Sequence, residues 1–473
     1  MPKDGKIRDK AEKVLSPRSW FDGSKLVTKA FIDEILGRLY GIRGDLSNGL
    51  FSLTGLLKRI HIIVETHLGN GGQIIILLID DSTNPPKQKK AEQERRKETS
   101  EIKGYEKPGE LQIDLHRDGI YNKTTDSVEA IDINKLVRTY QLMRQLWLAY
   151  IDMAKSQIVG RGFLKDDQLI VVDCFKEGPY LINNYECRQA PEHFHNHGEA
   201  DVSILYWCWV FRELDMTIRT SDQDTIPILY SYIQQIPSEW LNPKIIWCYQ
   251  DKTDEAKGKG IFKYVNMRRC CQEVLKGEQL TSYQFMLGFI LSGNDFVTPE
   301  VKKMITRGFG MKPIFQAIWY VSKGVNFISP KDREKMKEEQ WRWLDYFVRQ
   351  LLTLKLTNRK FITEDTRDPD KIYSCLPSSR SLLEIELEKK KSLYLPSEKE
   401  IQEVHKLIDF NVNYWGYDWR KYTIDREWLP RVEDLKGPKI HVATEMSSSK
   451  KVQFHSTEQI KSSFISDTWE QID

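Results

Sequence analysis

A series of acidic residues stands where a carboxylate is better placed to do chemistry than to solvate a surface. Asp33 ends the run FID, Asp80 and its neighbour Asp81 end IIILLIDD, and Glu199 and Asp201 open GEADVSILYW. Asp222 and Asp224 fall in the turn TSDQD after MTIRT, and Asp295 lies in ILSGNDF after an apolar helix. Any one of these, alone, reads as a structural acid. Several at the carboxyl ends of buried strands, where open α/β sheets keep their ligand sites, cannot all ionise cheaply, because like charges repel at short range. Hard divalent ions with oxygen ligands, Mg2+ or Mn2+, are the natural occupants. Two such ions about 4 Å apart would activate a water and stabilise the leaving oxygen of a phosphodiester.

The elements that must position these acids are legible from periodicity. Thr28 to Leu50, with Phe31, Ile32, Ile35, Leu36, Leu39 and Tyr40, suits a short strand running into a helix. Leu53 to His67 spaces Leu56, Leu57, Ile60 and Ile63 as an amphipathic helix. After a Gly69–Gly72 turn, Ile74 to Ile79 is a continuous apolar run, the mark of a strand buried on both faces. This β–α–β order predicts a parallel sheet between helices. Residues 104 to 128 read as loop, Ile131 to Ile158 as one long helix, and Gln168 to Cys174 as a strand. Glu199 to Glu213 reads as a helix. Asp215 to Thr220 and Ile226 to Leu229 read as strands bracketing a turn, and Trp240 to Gln250 as a further strand. After residue 330 the chain turns to charged helices, Lys331 to Leu356 and Ser397 to Phe410, and then to a polar tail.

Composition sets the broad class. A chain of 473 residues with 40% hydrophobic and 29% charged residues is globular and long enough for more than one domain. No apolar run approaches a membrane span, and no apolar core follows the charged start, so a soluble intracellular protein, nuclear or cytoplasmic, with no membrane partner is expected. The seven cysteines are odd in number and form no CxxC pair, which favours reduced thiols over disulfides or a zinc ribbon. A net charge of +3 says nothing for or against nucleic acid.

The order of the acids resembles that of the flap endonuclease superfamily of 5′ nucleases, over residues 26 to 320. The matching pieces are Asp33, then Asp80 followed by Pro85 and Pro86, then GEAD, then TSDQD, then LSGNDF. The resemblance implies a PIN-like α/β fold, with a parallel central sheet flanked by helices, a helical arch and a helix-hairpin-helix element, plus a helical C-terminal region. It divides the chain into a lead-in (1–25), an N-terminal nuclease region (26–103), an arch or insert (104–160), an internal nuclease region with a DNA-binding hairpin (161–330), helices (331–436) and a flexible tail (437–473). It implies that Asp33, Asp80, Glu199 and Asp201 hold a first metal, and that Asp222, Asp224 and Asp295 complete a second. Asp80 is preferred to Asp81, with both open. Lys89 and Arg96, three and ten positions past Pro86, match the family's basic pair at the scissile phosphate, where fixed positive charge stabilises the phosphoryl group. The same run, Lys87 to Lys97, also reads as a solvated charged helix.

Arg307-Gly308-Phe309-Gly310-Met311-Lys312 resembles the family's glycine hairpin, which with K+ cradles duplex phosphates. The implied activity is metal-dependent hydrolysis of flapped or branched DNA, as in replication and repair. An RNA endonuclease of the same fold and a non-catalytic nucleic-acid-binding scaffold are the alternatives. The chain departs from the family pattern in starting MPKDGK rather than Met-Gly, in Asp81 to Asn84 before the prolines, and in expanded spacing between Arg96 and Glu199.

Three further features are weaker. His193, His195 and His197 alternate on one side of an extended segment, as metal or phosphate ligands would; a polar loop stacked on its neighbours is the favoured reading. Trp341, Trp343, Trp415, Trp419 and Trp428 suit core anchors better than base-stacking platforms. The tail segment Gln459 to Ile465 only loosely resembles a sliding-clamp-binding box.

Overall fold

The computed structural model describes residues 28–39, 44–80, 103–175, 177–193, 200–220, 222, 224–236, 238–251 and 261–268, with isolated positions 348, 397–399 and 401–402. Strand β1 (Ala30–Glu34) runs into a short helix α1 (Leu36–Leu39). Helix α2 (Leu53–Gly69) starts where the Ser52 hydroxyl accepts the Gly55 amide at 2.9 Å, an N-cap held in turn by the Asp45 carboxylate. It stops at Asn70, and Gly71, with φ of 95°, turns the chain into β2 (Ile74–Leu78). All of β2 is buried, as a run of isoleucine and leucine with helices on both faces should be.

Residues 111–129, expected as loop, instead form a small antiparallel sheet of β3 (Leu111–Asp114), β4 (Gly119–Asn122) and β5 (Ser127–Glu129). Its strands are only three or four residues long, too short for periodicity to register. The long helix expected over Ile131 to Ile158 is two helices, α3 (Ile133–Leu136) and α4 (Tyr140–Ile158). The break sits at Thr139, whose hydroxyl donates to the Lys135 carbonyl at 2.9 Å and accepts the Tyr105 amide at 2.8 Å. Residues 104–160 are therefore built into the molecule on one side of the sheet. Tyr105, Leu111, Ile120, Leu146, Trp147 and Tyr150 share one core with Leu56 and Ile60 of α2 and with Ile75 and Leu77 of β2.

The chain continues through β6 (Leu169–Asp173), β7 (Tyr180–Ile182) and β8 (Cys187–Gln189) to helix α5 (Ala200–Val210) and strand β9 (Met216–Arg219). The strand expected over Ile226 to Leu229 is the first half of helix α6 (Thr225–Gln235). Pro227, with no N–H to give a ladder, is tolerated in a helix's first turn and not inside a central strand. Strands β10 (Ile245–Asp251) and β11 (Ile261–Asn266) follow.

The main sheet has the order β11-β10-β9-β1-β2-β6-β7-β8. Its five central strands are parallel, and β11, β7 and β8 pair antiparallel at the edges. From β1 the chain winds outward through β2 to β6, then returns to the other side of β1 for β9 and β10. The winding thus reverses between β1 and β9, and the crevice beyond the carboxyl ends of those strands is where such sheets bind ligands. The class is mixed α/β with a mostly parallel sheet. Among the described residues, no helix is long and apolar enough to cross a membrane.

Candidate functional site: carboxylates at the winding reversal

Asp201 lies at the centre of an acidic cluster. Burial of its carboxyl, followed by the charges of Asp222, Glu34, Asp80 and Asp224, pushes its pKa well above the usual carboxylate range. These groups arrive from four places in the fold: the end of β1, two residues past β2, the start of α5, and the turn after β9.

Local hydrogen bonds set each one. The Asp80 Oδ1 accepts the amide of Ala200, the first residue of α5, at 2.8 Å, so the helix's positive end holds a carboxylate from the neighbouring strand. Asp201, in the same first turn, accepts the Thr225 hydroxyl at 3.2 Å. The Thr220 hydroxyl donates to Glu34, and its oxygen accepts the Asp222 amide at 2.9 Å. Asp222 in turn accepts the Asp224 amide at 3.0 Å. Thr220 and Thr225 are both buried, and together they fix three of the acids.

Of the acids expected from sequence, the structure brings Asp80, Asp201, Asp222 and Asp224 together. Asp33 is placed elsewhere. Successive side chains of a strand face opposite ways, and on β1 it is Glu34 that faces Asp201. Asp33 is fully buried on the other face, where Arg38 Nη1 meets its Oδ2 at 2.5 Å and Arg219 stands opposite it in register. Glu34 was missed because both faces of β1 are covered. Ile32 and Phe31 are each apolar, so no hydrophobic pattern says which of two adjacent acids faces the ligand side.

His193 packs on α5: its Nδ1 lies 2.8 Å from the Tyr206 hydroxyl and its ring 5.6 Å from that of Trp207. Trp207 itself donates Nε1–H to Asp173, at the end of β6, at 2.6 Å. Glu199, Asp81, Lys89, Arg96, His195, His197, Asp295 and the hairpin Arg307, Gly308, Gly310 and Lys312 lie outside the described residues, as do the C-terminal tryptophans and the tail. Cys174, Cys187, Cys208 and Cys248 are free thiols.

The donors at Asp201 are all carboxylate oxygens, the set a hard divalent cation takes and a thiophilic ion does not. Among the described residues, no three acidic, histidine or cysteine side chains yet converge on one point at coordination distance. The charges of Asp222, Glu34, Asp80 and Asp224 all act on Asp201, and their mutual repulsion is what a cation would relieve. Compared with protein-family models and with curated proteins, the chain matches none.

Proposed function

We propose that the chain is a divalent-metal-dependent nuclease of the flap endonuclease type, with a PIN-like fold. The observation that supports this reading is that Glu34, Asp80, Asp222 and Asp224 lie near enough to Asp201 for their charges to act on it, tied to the strand ends by the Thr220, Thr225 and Ala200 hydrogen bonds where the sheet's winding reverses. Four of these five acids match the order in which the flap endonuclease superfamily spaces its ligands. Two Mg2+ or Mn2+ ions bound there would supply activation of a water and neutralisation of the leaving oxygen of a phosphodiester.

The protein's own residues do the rest. Asp80 is oriented by the start of α5, and Glu34 and Asp222 are held in one relationship by Thr220. In the part of the chain outside the described residues, Glu199 and Asp295 would complete the ligands. Lys89 and Arg96 would steady the phosphoryl charge, and the Arg307 to Lys312 hairpin, with K+, would hold an adjoining duplex.

The test is cleavage of a 5′-flap DNA and of a matched single-stranded RNA in Mg2+ or Mn2+. Asp201→Asn, Asp224→Ala and Asp295→Ala should each abolish turnover while leaving nucleic-acid binding measurable. Unchanged turnover in these variants sinks the site. Cleavage of RNA alone selects the RNA endonuclease reading, and absence of any Mn2+ binding by calorimetry selects the non-catalytic scaffold.

A further inference from the structure

Asp173 stands at a junction of the bonds that hold the acidic cluster in place. It ends β6, opposite Leu78 of β2 in the parallel register. Its backbone carbonyl accepts the amide of Ile79, the residue before Asp80, at 3.2 Å. Its side chain turns to the helix, where Oδ2 accepts the Trp207 indole N–H at 2.6 Å. Asp80 Oδ1 accepts the amide of Ala200, at the start of that same helix, at 2.8 Å. These links close a ring: from Asp80 to Ala200, along α5 to Trp207, then through Asp173 and Ile79 back to Asp80.

The ring holds α5 at two points. Seven residues of α-helix turn through about 700°, so Ala200 and Trp207 lie on one side of α5, about 10 Å apart along its axis. One bond at the helix start would leave the helix free to pivot; a second, two turns on, fixes its tilt and its rotation. Asp201, in the first turn, is carried in the orientation those two bonds set. The indole is itself held firmly. Trp207 is fully buried, its ring centroid 5.8 Å from the stacked ring of Phe211 and 5.1 Å from that of Tyr206, which meets it edge-on. A donor buried among aromatic rings needs its acceptor, because leaving it unpaired is costly.

We propose that Asp173 and Trp207 are positioning residues for the acidic cluster. Their bond sets the orientation in which α5 presents Asp201 beside Asp80, and with it the cluster's affinity for a divalent metal. Asp173 acts as a hydrogen-bond acceptor, although its place at a strand end is that of a metal ligand. Groups that orient ligands from behind govern metal affinity nearly as strongly as the ligands do. This inference rests on the metal-binding part of the nuclease reading, but Mn2+ binding can be read without cleavage.

The experiment measures Mn2+ affinity of the full chain by calorimetry, with urea unfolding in EDTA to establish that each variant is folded. Trp207→Phe keeps an aromatic ring and loses the N–H. Asp173→Ala removes the acceptor, at a half-buried position. Each should weaken Mn2+ binding by about tenfold or more, the usual effect of losing an outer-shell partner. The double variant should bind no more weakly than either single one, because both remove the same bond. Asp173→Asn keeps an acceptor oxygen without the charge and should restore most of the affinity. Unchanged affinity in the two single variants, or additive losses in the double, overturns the anchor. So does a loss in Asp173→Asn as large as that in Asp173→Ala, which would make Asp173 a ligand through its charge. Should Trp207→Phe fail to fold, the alanine and asparagine variants decide the question between them. If affinity falls as expected while the wild type cleaves neither flapped DNA nor RNA, the anchor stands and the nuclease reading fails. If the wild type cleaves and affinity is unchanged, the nuclease reading stands and the anchor fails. A wild-type chain that binds no Mn2+ overturns both.

Discussion

Thr220 gives its hydroxyl proton to Glu34, tying the end of β9 to the end of β1 at the point where the sheet's winding reverses. The same oxygen accepts the Asp222 amide. Thr220→Val keeps the shape of this buried side chain and loses both bonds, leaving a carboxylate and an amide without their partner. A loss of about 1–3 kcal/mol in unfolding free energy is expected, read from the urea midpoint, together with weaker Mn2+ binding by calorimetry. Thr220→Ser should restore both. A valine variant that binds Mn2+ like the wild type would show that the hydroxyl holds the fold and not the acids.

Glu34 and Asp33 are neighbours with opposite expected phenotypes. Glu34→Gln removes one charge from a crowded cluster, so it should weaken Mn2+ binding while leaving stability in EDTA unchanged or raised. Asp33→Asn breaks the buried ion pair with Arg38, and about 3 kcal/mol of stability should go with it. Mn2+ titration and urea unfolding of the two variants side by side decide the matter. The reverse pattern would assign Asp33, not Glu34, to the metal.

Gly72 and Gly69 should respond oppositely to alanine. A Cβ on Gly72 would stand 2.4 Å from the His67 Nε2 and 2.8 Å from the His67 carbonyl, and one on Gly69, in the last turn of α2, would meet nothing within 4 Å. Gly72→Ala is expected to cost about 1–3 kcal/mol through overpacking, and Gly69→Ala to stabilise by up to about 1 kcal/mol through helix propensity. Thermal melts of both variants test this.

His67 makes the fold sensitive to acid. Burial holds its pKa down at about 4, and its Nε2 is buried without a hydrogen-bond partner. An unfolded histidine takes its proton near pH 6.5, so the unfolded chain binds protons that the folded one refuses. Stability from this residue is therefore complete above pH 6.5 and lost as pH falls towards 4. The loss is of the order of 3 kcal/mol, at 1.36 kcal/mol per unit. Asp201 titrates in the opposite sense, its raised pKa favouring the folded state as pH falls, so the wild type must be compared with His67→Gln. The difference between their urea midpoints should shift in the glutamine variant's favour from pH 7 to pH 4.5. A constant difference would rule out the histidine as the cause.

Much of what positions the site is written locally. The apolar run Ile74–Leu78, the helix spacing of Leu56, Leu57 and Ile60, and the acids after MTIRT and IIILLI each declare themselves within a few residues, because burial on both faces and helical periodicity are local constraints. The placement of Asp80, Asp201, Asp222 and Asp224 beside one another follows from those elements once the parallel order is built. The short strands β3, β4 and β5 were not legible, and neither was the helix at Thr225. The strands exist only through their partners, and the apolar Ile226–Leu229 stretch serves either period.

By itself the sequence determined that carboxylates end buried parallel strands, since that needs only pattern and order. Tertiary structure alone decided that Glu34 rather than Asp33 faces Asp201, and that Asp33 answers to Arg38 and Arg219. The reason is geometric: adjacent strand residues point to opposite faces, and with both faces of β1 covered, only the residues packed above and below it can say which acid meets the site.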